Sequence, residues 1–195
     1  KDKVSSGNQV IYNFTTLPVD KNSQGLVFLM HFDNNSKYGE NDTYSYDWSG
    51  NNNNGTWSNN ATYNVSGKFG YGVQFDGYND SIRVPNKNSL NFDVNNFSVS
   101  AWIKTSDVGF RDIVDKKRVD TDTAGYYLAI DDVPLTDNRV KFKVANGTIG
   151  GQGPAEVKSN KVVTDGDWHF VIGVRNNLGI YLYVDGVLMN KNTLQ

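Results

Sequence analysis

Cysteine is absent and histidine occurs only twice, so the residues able to do chemistry in this 195-residue chain are carboxylates, amides and aromatics. Asp33, Asp47, Asn51, Asp76 and Asp80 stand among glycines and asparagines in turn-like sequence. Calcium takes about six to eight hard oxygen ligands from carboxylates, amide carbonyls and backbone, and these residues could supply some of them. The competing reading is that Asp and Asn occupy turns because their side chains bond the backbone locally and tolerate left-handed φ. Hydrolysis by a carboxylate pair asks for two carboxyls roughly 5 Å apart in a retaining glycosidase. The only glutamates, Glu40 and Glu156, lie far apart in loop-like sequence, and the neighbours Asp131 and Asp132 would point to opposite faces of a strand. His31 and His169 have no identifiable third partner for a Ser-His-Asp triad or a zinc site, and both are read as structural. The sequence therefore points away from an enzyme.

Aromatic residues offer a different chemistry. A sugar presents an apolar C–H face that stacks on an indole or phenol ring while amides and carboxylates take its hydroxyls, which makes Trp57, Tyr78, Trp102, Tyr126, Tyr181 and Tyr183 candidate ligand contacts. The plain alternative is that a β-sandwich buries many of its aromatic rings. Asn-x-Ser/Thr glycosylation triplets begin at Asn13, Asn34, Asn41, Asn54, Asn60, Asn64, Asn79, Asn96 and Asn146. An Asn-rich chain also produces such triplets by chance, yet with the Gly, Asn and aromatic enrichment they point to an extracellular or cell-surface protein.

These residues need elements to position them, and the elements read as strands. Short β-rich runs at 25–33, 71–75, 80–85, 97–104, 111–117, 125–130, 139–144, 157–163, 168–175 and 180–184 are separated by turn residues. Helix signals are scarce. Regular spacing of this kind predicts an all-β, antiparallel two-sheet sandwich or jelly roll. Alternation assigns Phe97, Val99, Ala101 and Ile103 to a dry face and Ser98, Ser100, Trp102 and Lys104 to the other. The same rule predicts dry sets Trp168, Phe170, Ile172 and Val174, and Ile180, Leu182 and Val184, leaving Tyr181 and Tyr183 on an unusually aromatic outer side. Residues 1–24 are polar around a short β-like island and read as an arm or linker before a domain spanning 25–195. The Asn run at 51–54 reads as a turn.

Composition sets outer bounds. The hydrophobic share of 37% is enough for a core, and a net charge of −2 with pI near 5.6 gives none of the basic stripe that nucleic acid requires. No apolar run approaches the roughly 20 residues that span a bilayer, and the opening KDKVSSGNQ has no signal-peptide core, so membrane insertion by this segment is not expected.

Five pieces in order carry a family likeness: GLVFLMHFD, DWSGNNNNGTW, GKFGYGVQFDGYNDSIRVP, FSVSAWIKT and, much later, DGDWHFVIGVRNNLGIYLYVDGVL. Over about Gly25 to Leu188 the chain resembles a laminin-G-like jelly roll of the concanavalin A-like lectin/glucanase superfamily. The resemblance implies two antiparallel sheets, a glycan or surface protein as partner, and a calcium ion tying loops together near Asp33, Asp47 and Asp76. It also implies a last strand lying beside the first, which nothing after Leu188 supplies. Three expectations follow: a C-terminally incomplete domain within a larger surface protein, an arm that folds back, or self-assembly through the unpaired sheet edge. The working expectation is a non-enzymatic recognition or adhesion module. Its rivals are a structural subunit of a glycosylated surface assembly and a glycan-processing enzyme or accessory domain.

Overall fold

The computed structural model describes residues 4–6, 9–11, 25–59, 61–92, 95–117, 125–131, 137–145 and 155–193. Among them there is no α-helix. The strands are β1 (Val4–Ser6), β2 (Gln9–Ile11), β3 (Tyr44–Ser45), β4 (Gly55–Ser58), β5 (Thr62–Ser66), β6 (Tyr71–Gln74), β7 (Ser81–Arg83), β8 (Phe97–Lys104), β9 (Arg111–Lys117), β10 (Gly125–Asp131), β11 (Arg139–Ala145), β12 (Ala155–Val162), β13 (Trp168–Asn176), β14 (Gly179–Val184) and β15 (Val187–Thr193). Short 3₁₀ turns stand at Ser36–Tyr38 and Asn88–Leu90. The chain divides into two compact units: Lys1–Val65 with Gly70–Phe75 and Asn79–Leu90, and Ser66–Phe69 with Asp76–Tyr78 and Asn91–Gln195.

The second unit is an antiparallel sandwich. Its sheets run β12-β11-β10-β9 and β15-β14-β13-β8, and they pack face to face. Leu128, Ile130, Val140, Phe142, Val144 and Val157 from one sheet meet Phe97, Val171, Ile180, Leu182 and Val184 from the other. Burying aliphatic side chains of this size stabilises the unit by about 1.5–3 kcal/mol each before conformational entropy is subtracted. Gly173 makes the closest approach between sheets possible, because a Cβ there would lie 2.4 Å from Phe142 Cδ2. The β14–β15 turn has φ of 53° at Asp185 and 79° at Gly186, so both central residues are left-handed, the conformation that an Asp-Gly pair accepts in a two-residue hairpin.

One alternation reads differently in three dimensions. In β13 the buried residues are His169, Val171, Gly173 and Arg175, while Trp168, Phe170, Ile172 and Val174 stand on the outer side, half-buried. Cross-strand register dictates this. Ile103, Ala101, Val99 and Phe97 of β8 lie opposite His169, Val171, Gly173 and Arg175, so the core side of β8 fixes the core side of β13.

The first unit holds a three-stranded sheet β3-β4-β7 and the pair β5-β6, with the β1-β2 pair near the chain start. The run Gly25–Asp33, predicted as a strand, is not one. Its backbone is satisfied by a neighbouring loop instead of a ladder. Leu29 N donates to Asp47 Oδ1 at 3.0 Å, Asn51 Nδ2 donates to Leu26 O at 3.1 Å, and Asn53 Nδ2 donates to Val27 O at 2.7 Å. Left-handed φ at Phe32 (61°) and Asn34 (52°) then turns the chain away from extension.

Candidate functional site

The outer side of the β15-β14-β13-β8 sheet is aromatic, and the local sequence explains why. Alternation in β8 aims Trp102 outward, and Phe170 lies directly opposite it in β13. Their rings stack with centroids 5.0 Å apart and planes inclined by 29°. One step along the sheet Ile172 faces Tyr183, and Val174 faces Tyr181, so both tyrosines share the outer side with Trp102, as the alternation predicts. From the 66–69 loop Phe69 meets Trp102 edge-on at 5.8 Å, and Lys68 Nζ stands 4.9 Å from the Trp102 ring centroid. Trp102 is 39% exposed and Phe69 69% exposed, which is unusual for rings that touch one another. The cluster is a partly open platform of large rings with a cation on it. Phe69, Phe170, Trp168 and Lys68 were not among the predicted contacts. Pairing of β13 with β8 points to Phe170 and Trp168, whereas nothing in local spacing ties residues 68 and 69 to residue 102.

The other predicted aromatics separate. Tyr78 is 90% exposed on a turn whose Asp76 Oδ1 accepts its N–H at 2.8 Å. Trp57 belongs to the interior of the first unit: its Nε1 donates to Ser45 Oγ at 2.7 Å and its ring lies 4.3 Å from Tyr63. Tyr126 is a core residue of the sandwich, packed between Phe92 and Phe97, and burial pushes its phenol up to about 12. Its strand, β10, is buried on both faces, so an aromatic there fills the core rather than a surface site.

The five residues read as calcium ligands are divided between the two units, Asp76 in the second and Asp33, Asp47, Asn51 and Asp80 in the first. Asp47 is fully buried, and its oxygens accept from the backbone N–H groups of Leu29, Ser49 and Asn53 and from Ser49 Oγ, at 2.8–3.0 Å. A carboxylate so filled has no lone pair left for a cation. Asn51 turns its amide to Leu26 O and Ser49 Oγ, and Asp33 Oδ1 accepts from Tyr71 N at 3.2 Å. Asp76 caps its own turn, and Asp80 is half-buried and engaged with a protein neighbour. Among the described residues no three His, Asp or Glu side chains converge as metal ligands. Asp47 as placed is closed to a cation, while the N–H groups of Tyr71 and Tyr78 each take a single carboxylate oxygen, Oδ1, of Asp33 and Asp76.

The sequons fall on varied ground. Asn41, Asn79 and Asn96 are exposed, Asn34 is half-buried, Asn54 Oδ1 accepts from Asp47 N at 2.8 Å, and Asn64 lies on β5. Asn13, Asn60 and Asn146 lie outside the described residues, as does Asp132. Glu40 is 2% exposed and accepts from the backbone N–H groups of Asn35 and Tyr46, while Glu156 approaches Lys141 Nζ at 4.0 Å. Asp131 is buried between Lys141 Nζ at 2.9 Å and Lys158 Nζ at 2.7 Å. Burial pushes its carboxyl up, and the two ammonium groups outweigh that and hold it below the ordinary Asp value.

His169 has more partners than its sequence context predicts. It is buried, with Nδ1 2.8 Å from Asp185 Oδ2 and Nε2 3.0 Å from Asp165 Oδ1, and Lys161 Nζ also reaches Asp185 Oδ2 at 2.6 Å. Burial pulls the imidazole down, but the two carboxylates prevail and hold it above its usual value. These contacts tie two turns at one end of the sandwich and offer no nucleophile. His31 stacks on Trp48 at 4.9 Å.

The Laminin_G_3 family model, described as the concanavalin A-like lectin/glucanases superfamily, matches residues 76–195. No curated protein sequence matches the chain. Among solved structures, the binding domain of Paraclostridial Mosquitocidal Protein 1 is similar at TM-score 0.62 and 20% identity, over 86% of this chain and 40% of that one. An S-layer domain-containing protein from Clostridium thermocellum is similar at TM-score 0.52 and 21% identity, over 85% of this chain and 71% of that one. Domain 4 of AbnA, an extracellular arabinanase from Geobacillus stearothermophilus solved with arabinotriose, is similar at TM-score 0.50 and 17% identity, over 75% and 68%. At these identities the likeness is one of fold. This chain spans less than half the length of the mosquitocidal binding-domain chain.

Proposed function

The chain belongs to the concanavalin A-like lectin/glucanase superfamily, and from that premise we propose that it is a non-enzymatic saccharide-recognition module of an extracellular or surface protein, binding through the Trp102 face. The observation that carries this reading is the partly exposed ring cluster in which Trp102 meets Phe69 and stacks on the half-buried Phe170 over an outer sheet face. A stacked pair of rings held by strand pairing loses little freedom on binding, so a pyranose or furanose ring can settle on it at low entropic cost. Strands β8, β13, β14 and β15 carry no Asp or Glu, and Asp185 on the β14–β15 turn is taken up by Phe170 N, Lys161 and His169, which supports recognition over hydrolysis by a carboxyl pair on these strands. Arabinotriose, bound by the AbnA domain, is a rational first probe.

Isothermal titration of an oligosaccharide panel that includes arabinotriose tests the reading. At least one member should bind, and Trp102→Ala should weaken that binding about tenfold or more while circular dichroism stays unchanged. Binding that ignores Trp102→Ala, or none across the panel, would overturn it. One observation favours a second reading, surface assembly: edge strand β15 exposes Val187 at 58% and Leu188 at 43%. Light scattering over a concentration series separates the two, because assembly predicts a mass that rises with concentration and is capped by Leu188→Lys.

A further inference from the structure

Along the strands of the Trp102 face the charge is one-sided. Strands β8, β13, β14 and β15 contain no Asp or Glu, yet Lys104 and Lys191 stand exposed on them. Lys104 lies opposite Trp168, and Lys191 opposite Tyr181, which places both on the aromatic side of the sheet. Lys68 adds a third ammonium from the 66–69 loop, directly over the indole of Trp102. None of the three forms an ion pair among the described residues, whereas on the outer side of the opposite sheet Lys141, Lys158 and Arg139 are each paired with Asp131 or Asp137.

Resting on the saccharide reading above, we propose that Lys68 is a specificity-determining residue that makes the Trp102 face select acidic over neutral saccharides. The chemistry follows from where the ammonium sits. A neutral sugar that stacks on Trp102 must push Lys68 off the ring and gives the cation nothing in exchange for the lost cation–π contact. A sugar bearing a carboxylate or sulfate can take the ring face and accept the displaced ammonium in the same event. Lys104 and Lys191 extend that field along the strands without an ion-pair partner among the described residues, the acids Asp167 and Asp185 lying on the turns at the sheet end. The ring supplies the stacking that is common to all sugars, and Lys68 supplies the discrimination.

The test compares two probes with the same sugar backbone, trigalacturonate and its uncharged, fully methyl-esterified form, titrated into the full chain and into Lys68→Gln. The acid form should bind the unsubstituted chain about tenfold more tightly at low salt, and the preference should fall below about twofold near 0.5 M salt. Lys68→Gln should lose the preference without weakening the ester, and Lys143→Gln, on the other sheet, should retain it. A sulfated oligosaccharide is the third arm: affinity equal to that of the acid form assigns the selectivity to anionic charge, and a clear preference for trigalacturonate assigns it to a carboxylate. Equal affinity for acid and ester, or a preference that survives Lys68→Gln, overturns the proposal. If another neutral sugar binds in a Trp102-dependent way while trigalacturonate does not, selection for acidic sugars fails and the saccharide reading stands. If no saccharide binds at all, both fail.

Discussion

The two outer faces of the sandwich solve the same problem with opposite chemistry. The β12-β11-β10-β9 sheet covers its outer side with ions that neutralise one another, Asp131 holding Lys141 and Lys158 while Asp137 holds Lys158 and Arg139. The β15-β14-β13-β8 sheet leaves Trp102, Phe170, Tyr181 and Tyr183 outward with unpaired lysines beside them. A self-satisfied ion network has little left to offer a ligand, since a newcomer would have to break existing pairs. Half-exposed rings and an uncompensated cation are unfinished business for the folded chain. On the proposed reading, the difference gives stability to one face and recognition to the other.

That assignment can be broken in graded steps. The largest effect should come from Gly173→Val, which would drive a side chain into Phe142 between the sheets and cost about 3 kcal/mol in urea unfolding, taking both faces with it. An intact midpoint would mean that the sheets are not pressed together at that residue. Next, Asp131→Ala should destabilise by about 2 kcal/mol, less than for a fully buried pair because Lys141 and Lys158 keep some contact with water. Saccharide affinity should not change in that variant. If Asp131→Ala removes binding while Trp102→Ala leaves it, the roles of the faces are reversed.

A smaller effect is set by pH. His169 is held above its ordinary value by Asp185 and Asp165, so its contribution to stability is complete below about pH 6.5, the unfolded value, and is lost as pH rises through the higher folded value. Thermal melts from slightly acid to mildly alkaline pH should show a falling midpoint, and His169→Gln should flatten that slope. A midpoint that instead rises over this range in the unsubstituted chain would contradict the pairing. The smallest effect belongs to calcium: with Asp47 filled by protein donors, EDTA should move the midpoint by less than about one degree. A fall of several degrees would show that other oxygens hold a cation.

Much of the fold is legible in the sequence, because β8, β14 and the Asp185-Gly186 turn each state their geometry locally: strict alternation, an apolar triplet and a left-handed pair. The candidate site is legible only in part. Trp102, Tyr181 and Tyr183 follow from the same alternation. β13 misleads because its outer side, Trp168, Phe170, Ile172 and Val174, is more apolar than its inner side, where His169 and Arg175 are buried with polar partners supplied by the turns around them. Hydrophobicity ranks those two sides in the wrong order, and only pairing with β8 corrects it. Gly25–Asp33 misleads for another reason. Its β-rich composition is real, but side chains from residues 47–53 occupy the backbone groups that a neighbouring strand would need.

Four tryptophans give this chain four indole N–H reporters: Trp48 and Trp57 in the first unit, Trp102 and Trp168 in the second. Following these resonances by ¹H–¹⁵N correlation during saccharide titration, with the Trp102 signal identified by its loss in Trp102→Phe, tests the central claim most directly. Saturable movement of the Trp102 indole while those of Trp48 and Trp57 stay in place is the predicted result. Movement of Trp48 or Trp57 with a silent Trp102 would contradict the assignment of recognition to the aromatic face.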